Sequence, residues 1–466
     1  MTDGNTPLAG GQKFQVGICF YGATGTGESS CPDCNGAVND TYFVEFINGS
    51  FAAYNTATGE AAVRVTDREF WEGAGLSPDA PLVDPRIVFI PGAGRNGQWL
   101  AVQLLNMGQA VYVATTDPND PKADPTGKWR ASQFALPGAD FPMLGYDANG
   151  IYIGSNTDAG EKDRQPQIVT ISRAKALAYP PQLDGIKITK PLPIADYGAN
   201  LYPVINGGGG APAGIAIGVD TASKKHLTYA YISPTSGEIT THGRIEVEPF
   251  EPIPFGFGIK QPYPGNPLPG SISDVRFFGN GSGSAPIGDG SNIWMTHTVM
   301  KPDRPPAIGT LAVRWYRLSI DQNSGLPTLA AWGEVSQPHY DYFNSSILPF
   351  GKDDYAVLSL SRSGDSSTPT DPDNDGCGNI GAYAALVREK PGGQSQFQLA
   401  PLASGLADKF TPGIYTKRWG DFTTICKDPK RPRGVWTINQ FVLQGGDSSQ
   451  TSEWRTAIGG FIIPPV

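Results

Sequence analysis

DFPMLGYDANGIYIGSN, residues 140–156, reads as a strand opened by an aspartate, a turn, and a second strand coming back. The same pattern recurs along the chain. DTYFVEFINGSFAAYN starts at Asp40, DPRIVFIPGAGRNGQWLAVQ at Asp84 and NLYPVINGGGGAPAGIAIGVD at Asn200. DVRFFGNGSGSAPIGDGSNIWMTHT starts at Asp274, DYFNSSILPFGKDDYAVLSLSRS at Asp341 and DFTTICKDPKRPRGVWTINQF at Asp421. Starts fall about 44 to 80 residues apart, the spacing of four-stranded blades carrying variable loops. The repeats predict an all-β fold, a seven-bladed β-propeller of four-stranded antiparallel blades with the Asp-headed strands innermost.

Length and composition agree. A chain of 466 residues exceeds what one ordinary core supports. A propeller escapes that limit because each blade packs only on its neighbours. Glycine (59) and proline (42) punctuate regular strands and form no low-complexity tract. Sustained 3.6-residue apolar periodicity is missing; residues 68–76 and 172–180 each predict only a short helical turn. Residues 1–12 read as a lead and 13–466 as one propeller domain. KFQVGICF at 13–20 and EWRTAIGGFII at 453–463 are expected to meet in one blade and close the ring.

Charge and cysteines narrow the partners. Net charge is −9 and charged residues are only 17%. A nucleic-acid binder would show a basic field, and the one basic cluster, KDPKRPR at 427–433, falls in a predicted hairpin turn. No run of about 18 apolar residues exists to span a membrane. Met1 leads into TDGNTPLAGG with no charged and apolar leader. Low charge and loops rich in Thr, Ser, Asn and Gly predict an extracellular, periplasmic or cell-surface protein without its signal segment. Cys31 and Cys34 form CPDC in a loop lacking the βαβ context of a redox motif, and zinc would need a second ligand pair. A local disulfide, or bonds from this loop to Cys19 or Cys377, is expected, with Cys426 as the fifth cysteine. Sequons stand at Asn39, Asn48, Asn280 and Asn344.

Innermost strands begin around one mouth of the central channel. Asp40, Asp84, Asp140, Asp274, Asp341 and Asp421 are therefore expected to form a ring there, with Asn200 as the exception. Carboxylates gathered in one funnel need compensation, which Arg86, Arg276 and Arg418 are placed to supply. Such a ring could hold a Ca²⁺ ion through oxygen ligands, or provide the acid pair of glycoside hydrolysis, or simply cap turns. Asp371, Asp373 and Asp375, followed by Gly376, match the first half of a calcium loop; Ala382 stands where its twelfth-position acid would be. His226, His242, His297 and His339 form no zincin or hydrolase motif. His339, just before Tyr340, Asp341 and Tyr342, is a candidate general acid/base; Trp419 and Phe422 flank Asp421 and could stack on a sugar.

DFPMLGYDANGIYIGSN and RWGDFTTICKDPKRPRGVW resemble the blade cores of bacterial sialidase-like seven-bladed propeller proteins. That resemblance implies a propeller and a role among glycoside hydrolases, polysaccharide lyases or carbohydrate-binding surface proteins. The chain lacks the S-x-D-x-G-x-x-W Asp-box and the tryptophan docking repeat of quinone-cofactor propellers, so no organic cofactor is expected. Two functions remain open. One is a hydrolase or lyase using a pair among Asp84, Asp140, Asp274 and Asp421, with Arg276 or Arg418 orienting a glycan or other extracellular polar ligand. The other is a non-catalytic, Ca²⁺-stabilised binding or scaffold module.

Overall fold

The computed structural model describes residues 15–26, 31–105, 109–157, 164–207, 214–253, 259, 285–301, 310–350, 355–364, 378–389, 396–406, 419–444 and 453–463. They form seven four-stranded antiparallel sheets in a ring, a seven-bladed β-propeller. From blade 1 to blade 7 the innermost strands are Asn35–Val38, Leu82–Ile90, Ala139–Tyr146, Leu201–Pro203, Ile287–Gly288, Tyr340–Phe350 and Thr424–Lys427. Parallel bridges join Tyr146 to Ile205 and Ile205 to Ile287, as expected where inner strands run side by side along an axis.

Burial follows from this geometry. Second strands are pressed between neighbouring blades on both faces, so Gln98–Leu105 is buried at every residue. The outer strand Trp129–Ala135 alternates instead, with one face toward solvent. The core is accordingly split into layers between blades. Val102, Val111, Leu144 and Ile153 fill the layer between blades 2 and 3; Ile217, Leu227, Met295 and Leu318 fill that between blades 4 and 5. The helix Asp67–Ala74 covers the layer between blades 1 and 2. A Thr66–Glu69 capping box starts it, Gly75 at φ 99° ends it, Phe70 packs on Phe51 and Trp129, and Trp71 on Phe46 and Tyr112.

Closure occurs as the termini predict. Gln15–Thr26 pairs antiparallel with Glu453–Ile462 and becomes the outermost strand of blade 7. Glu45, buried in the second strand of blade 1, fastens this seam. Its Oε2 accepts from the Tyr54 hydroxyl at 2.6 Å and from Ala23 N–H at 3.2 Å, and Oε1 accepts from the Thr456 hydroxyl.

The inner strands begin with an irregularity rather than with an aspartate. Register shifts fall at Val83/Arg86, Asp140/Met143 and Phe343/Ser346. Within them Asp84, Phe141 and Asn344 take φ of 54°, 56° and 45°. Asp33, two residues before Asn35–Val38, has φ 47°. These four residues occupy one structural position in four blades. Asp40 does not: it lies exposed in the turn between the first and second strands of blade 1, so its strand is not the innermost.

A buried ion triad ties blade 5 together. The Arg314 guanidinium contacts Glu334 Oε1 at 2.5 Å and donates to the carbonyls of Glu248 and Pro249, while Lys301 Nζ lies 2.6 Å from Glu334 Oε2. Burial alone would raise the Glu334 pKa, but Arg314 and Lys301 hold it below its ordinary value. A carboxyl depressed on folding stabilises above its unfolded pKa and loses that contribution as pH falls through the folded value. Unfolding titrations should therefore show stability declining below about pH 4.5. Glu334→Gln should flatten that decline and cost on the order of 2 kcal/mol at pH 7. An unchanged acid slope in the variant would exclude the triad as its source.

Candidate functional site

The channel mouth is built from the residues at and beside those irregular strand starts. Arg86 of blade 2 sits buried at its centre. Its Nε donates to the Pro142 carbonyl at 2.7 Å and its Nη1 to the Pro85 carbonyl at 2.8 Å. The guanidinium lies 3.6 Å from the ring centroid of Phe422, in blade 7. Phe141 of blade 3 meets the same ring at 4.5 Å, and Tyr202 of blade 4 approaches Phe141 edge-on at 6.3 Å. Blades 3 and 7 are not neighbours, so the Phe141–Phe422 contact crosses the axis. Side chains fill the channel at this level.

Carboxylates surround the plug. Asp84, Asp33 and Asp421 interact electrostatically with Arg86, whose pKa is lowered by burial and held up in part by these acids. Asp33 Oδ1 accepts from Asp421 N–H at 2.8 Å, and its Oδ2 from the Asn48 amide at 2.7 Å and the Cys31 thiol at 3.5 Å. Asn48 Oδ1 in turn accepts from Asp84 N–H at 2.8 Å. Asn35 bridges three blades: its Oδ1 takes Ile87 N–H at 2.7 Å while its Nδ2 donates to Thr424 Oγ1 at 3.0 Å. On the far side the Asn344 amide donates to the Gly420 carbonyl, and Gly420 N–H reaches Gln440 Oε1 at 3.1 Å. Burial, only partly offset by the Asn200 hydrogen bond, raises the Tyr202 pKa far above its ordinary value. The phenol stays neutral.

Of the residues singled out in the sequence, the structure brings Asp84, Arg86 and Asp421 together. Asp140 stands apart in an ion pair with Arg164 at 2.6 Å. Asp341 is fully buried and accepts from Leu311 N–H of blade 5 at 2.9 Å. Tyr342 is buried in the layer between blades 5 and 6 with its hydroxyl donating to Gln337, and Trp419 is buried in the layer joining blades 7 and 1. His339 is half-buried in the turn leading into Tyr340–Phe350, with φ 70°. Asp274, Arg276, Arg418, Asp371, Asp373 and Asp375 lie outside the described residues. No group of three or more His, Cys, Asp or Glu suited to a metal occurs among the described residues.

The cysteine and sequon readings also meet the structure here. Cys19, Cys34 and Cys426 form no disulfide, so Cys31 and Cys34 are not joined to each other. Cys19 is exposed, its thiol donating to the Leu402 carbonyl at 3.2 Å, while burial pushes the Cys34 and Cys426 thiols well above their usual range. Cys377 lies outside the described residues. Asn39, Asn48 and Asn344 are all buried with their amide nitrogens donating internally, so none can carry a glycan in the folded protein.

No protein-family model and no curated protein matches the chain. Solved structures do resemble it. Drosophila Semaphorin 1b, extracellular domains 1-2, is 9% identical over 96% of this chain and 87% of that one, with a TM-score of 0.43. An alpha-L-arabinofuranosidase of Fusarium graminearum is 9% identical over 96% and 98%, TM-score 0.39. A subtype N11 neuraminidase-like protein of the strain A/flat-faced bat/Peru/033/2010 (H18N11) is 9% identical over 83% and 93%, TM-score 0.36. These are likenesses of outline and say nothing of chemistry. No described helix is long and apolar enough to cross a membrane.

Proposed function

We propose that the chain is a non-catalytic propeller that engages a glycan or another polar extracellular ligand on its rim rather than through its axis. The contact of Phe141 with Phe422 across the channel, capped by Arg86, carries this reading. Glycoside hydrolysis needs two carboxyl groups about 5–9.5 Å apart across a cleft open to sugar and water. Asp84 and Asp421 are instead buried around a guanidinium, with an aromatic ring where the substrate would lie. The low charge and polar loops support a secreted or surface setting, and the 371–379 loop remains the proposed Ca²⁺ ligand set, held by Asp371, Asp373 and Asp375.

Incubating the protein with a broad panel of polysaccharides should release neither reducing ends nor unsaturated-uronate absorbance, while the same glycans immobilised should retain it. Turnover abolished by Asp84→Asn or Asp421→Asn would overturn the non-catalytic half of the proposal. Retention of no glycan at all would overturn the other half.

A further inference from the structure

Each blade ends in an outer strand, and in six of the seven that strand carries a residue that discourages pairing with another chain. Arg64, Arg130, Lys187, Arg244 and Glu334 place charges on the outer strands of blades 1 to 5, and Pro401 interrupts that of blade 6. The outer strand of blade 7, Gln15–Thr26, reads QVGICFYGATGT, with neither charge nor proline in 12 residues. It bonds to Glu453–Ile462 on one side, and no described strand pairs with the other. Two of the five exposed large apolar side chains, Tyr21 and Ile462, lie on this strand and the one beside it.

Register shifts at Val16/Ile18 and Tyr21/Thr24 bracket a regular stretch, Ile18–Tyr21. Ile18 and Phe20 pack into the layer between blades 7 and 1, where the Phe20 ring meets Tyr54 at 5.1 Å. Cys19 and Tyr21 are exposed on the opposite face, the Cys19 thiol reaching the Leu402 carbonyl of blade 6 and Tyr21 lying 5.2 Å from Phe441. Gly17 is exposed too, and a Cβ there would fall 3.2 Å from the Gly460 carbonyl, so the position stays bare. This row is complementary to its own reverse. Turned about a two-fold axis at Cys19, an antiparallel copy sets Cys19 against Cys19 and Ile18 against Phe20. The Tyr21 ring then covers the bare Gly17, the aromatic–glycine pairing that steadies strand edges. Charge selects the same occupant. At net charge −9 two molecules repel unless they meet where neither is charged, and only this outer strand lacks both charge and proline. So short a ladder buries less than the roughly 800 Å² per partner of a stable interface, so the association is weak.

We propose that Gln15–Thr26 is a homodimer edge, on which a second copy pairs antiparallel about an axis at Cys19 and joins the two seventh blades into one sheet. The inference is independent of what the rim binds. Sedimentation equilibrium of the full chain should show monomer and dimer with a Kd on the order of 10–100 µM and no larger species, since pairing consumes the free edge. Cys19→Lys puts two ammonium groups face to face and should weaken the dimer at least about tenfold; Tyr21→Ala should weaken it about three- to tenfold. Cys19→Ser keeps a donor to Leu402 and should stay within about threefold of the wild type. Ala330→Lys, exposed on the outer strand of blade 5, should change nothing. Hydrogen exchange at Ile18–Tyr21 should slow as wild-type concentration rises through Kd, a readout that stands even where the lysine variant folds poorly. A wild type that stays monomeric to about 200 µM would overturn the proposal. So would a dimer indifferent to Cys19→Lys, or one that forms without slower exchange at Ile18–Tyr21. A dimer lost in Cys19→Ser would assign the association to a disulfide instead of strand pairing.

Discussion

Replacing Arg86 with methionine will destabilise the propeller by about 3–5 kcal/mol, the usual cost of removing one partner from a buried charge group. The loss has two sources. Asp33, Asp84 and Asp421 would lose the guanidinium that interacts with all three, and the Pro85 and Pro142 carbonyls would lose the donors Arg86 supplies. Methionine fills much of the volume and keeps contact with Phe422, so the effect reports charge and hydrogen bonding rather than a cavity. Arg86→Lys should recover little of it. An ammonium cannot serve two carbonyls set by a planar fork while lying flat on the Phe422 ring at 3.6 Å. Adding Asp84→Asn to Arg86→Met should return part of the stability, because one carboxylate that faced the lost guanidinium is gone; the two changes should be strongly non-additive. Urea unfolding of the wild type, the two Arg86 variants, Asp84→Asn and the double variant decides the matter. An Arg86→Met loss below about 1 kcal/mol would mean that groups other than Arg86 balance the acids.

Why this hub was only half legible in the sequence has a physical answer. Repeated strand–turn–strand units write the blade number locally, and the apolar termini write the closure. What converges on the axis is not written locally. Arg86 meets Phe422 and Asp33 meets Asp421 across most of the chain, and Asn344 meets Gly420 from 76 positions away. Aligning blades on their aspartates also places them out of register. The shared feature is a left-handed backbone residue in a bulge, which Asp33, Asp84 and Asn344 tolerate well and which Phe141 adopts while packed into the plug. Asp140 and Asp341 precede that position by one and three residues, and so end in private partnerships with Arg164 and Leu311. Blade 1 was misplaced for a different reason. Its inner strand, NGAV, has only four residues and its aspartate, Asp33, lies within CPDC, so the longer apolar run after Asp40 outweighs it.

Glu45→Ala should be the second severe substitution, at about 3–5 kcal/mol, and its effect should be regional. The carboxylate is fully buried and accepts from donors in three strands: Tyr54 in blade 1, Ala23 in the N-terminal strand and Thr456 in the strand beside it. Arg64 supports it at one remove, donating to the Tyr54 hydroxyl at 3.0 Å. Gly22 leaves room for this arrangement, since a Cβ there would fall 2.5 Å from Glu45 Oε1. Alanine at position 45 strands every one of those donors in a dry layer. Glutamine is nearly isosteric, but its NH₂ would face hydroxyl and amide donors, so Glu45→Gln should still cost about 1–3 kcal/mol. Because the N-terminal strand closes the ring noncovalently, weakening its anchor should free that strand before the other blades unfold. Hydrogen exchange at Gln15–Thr26 should therefore accelerate far more than exchange in the second strands of blades 3 and 4, Gly150–Thr157 and Gly214–Asp220. Uniform acceleration across all of these strands would show that the ring opens only as a whole, and that Glu45 contributes to overall stability without serving as the latch of blade 7.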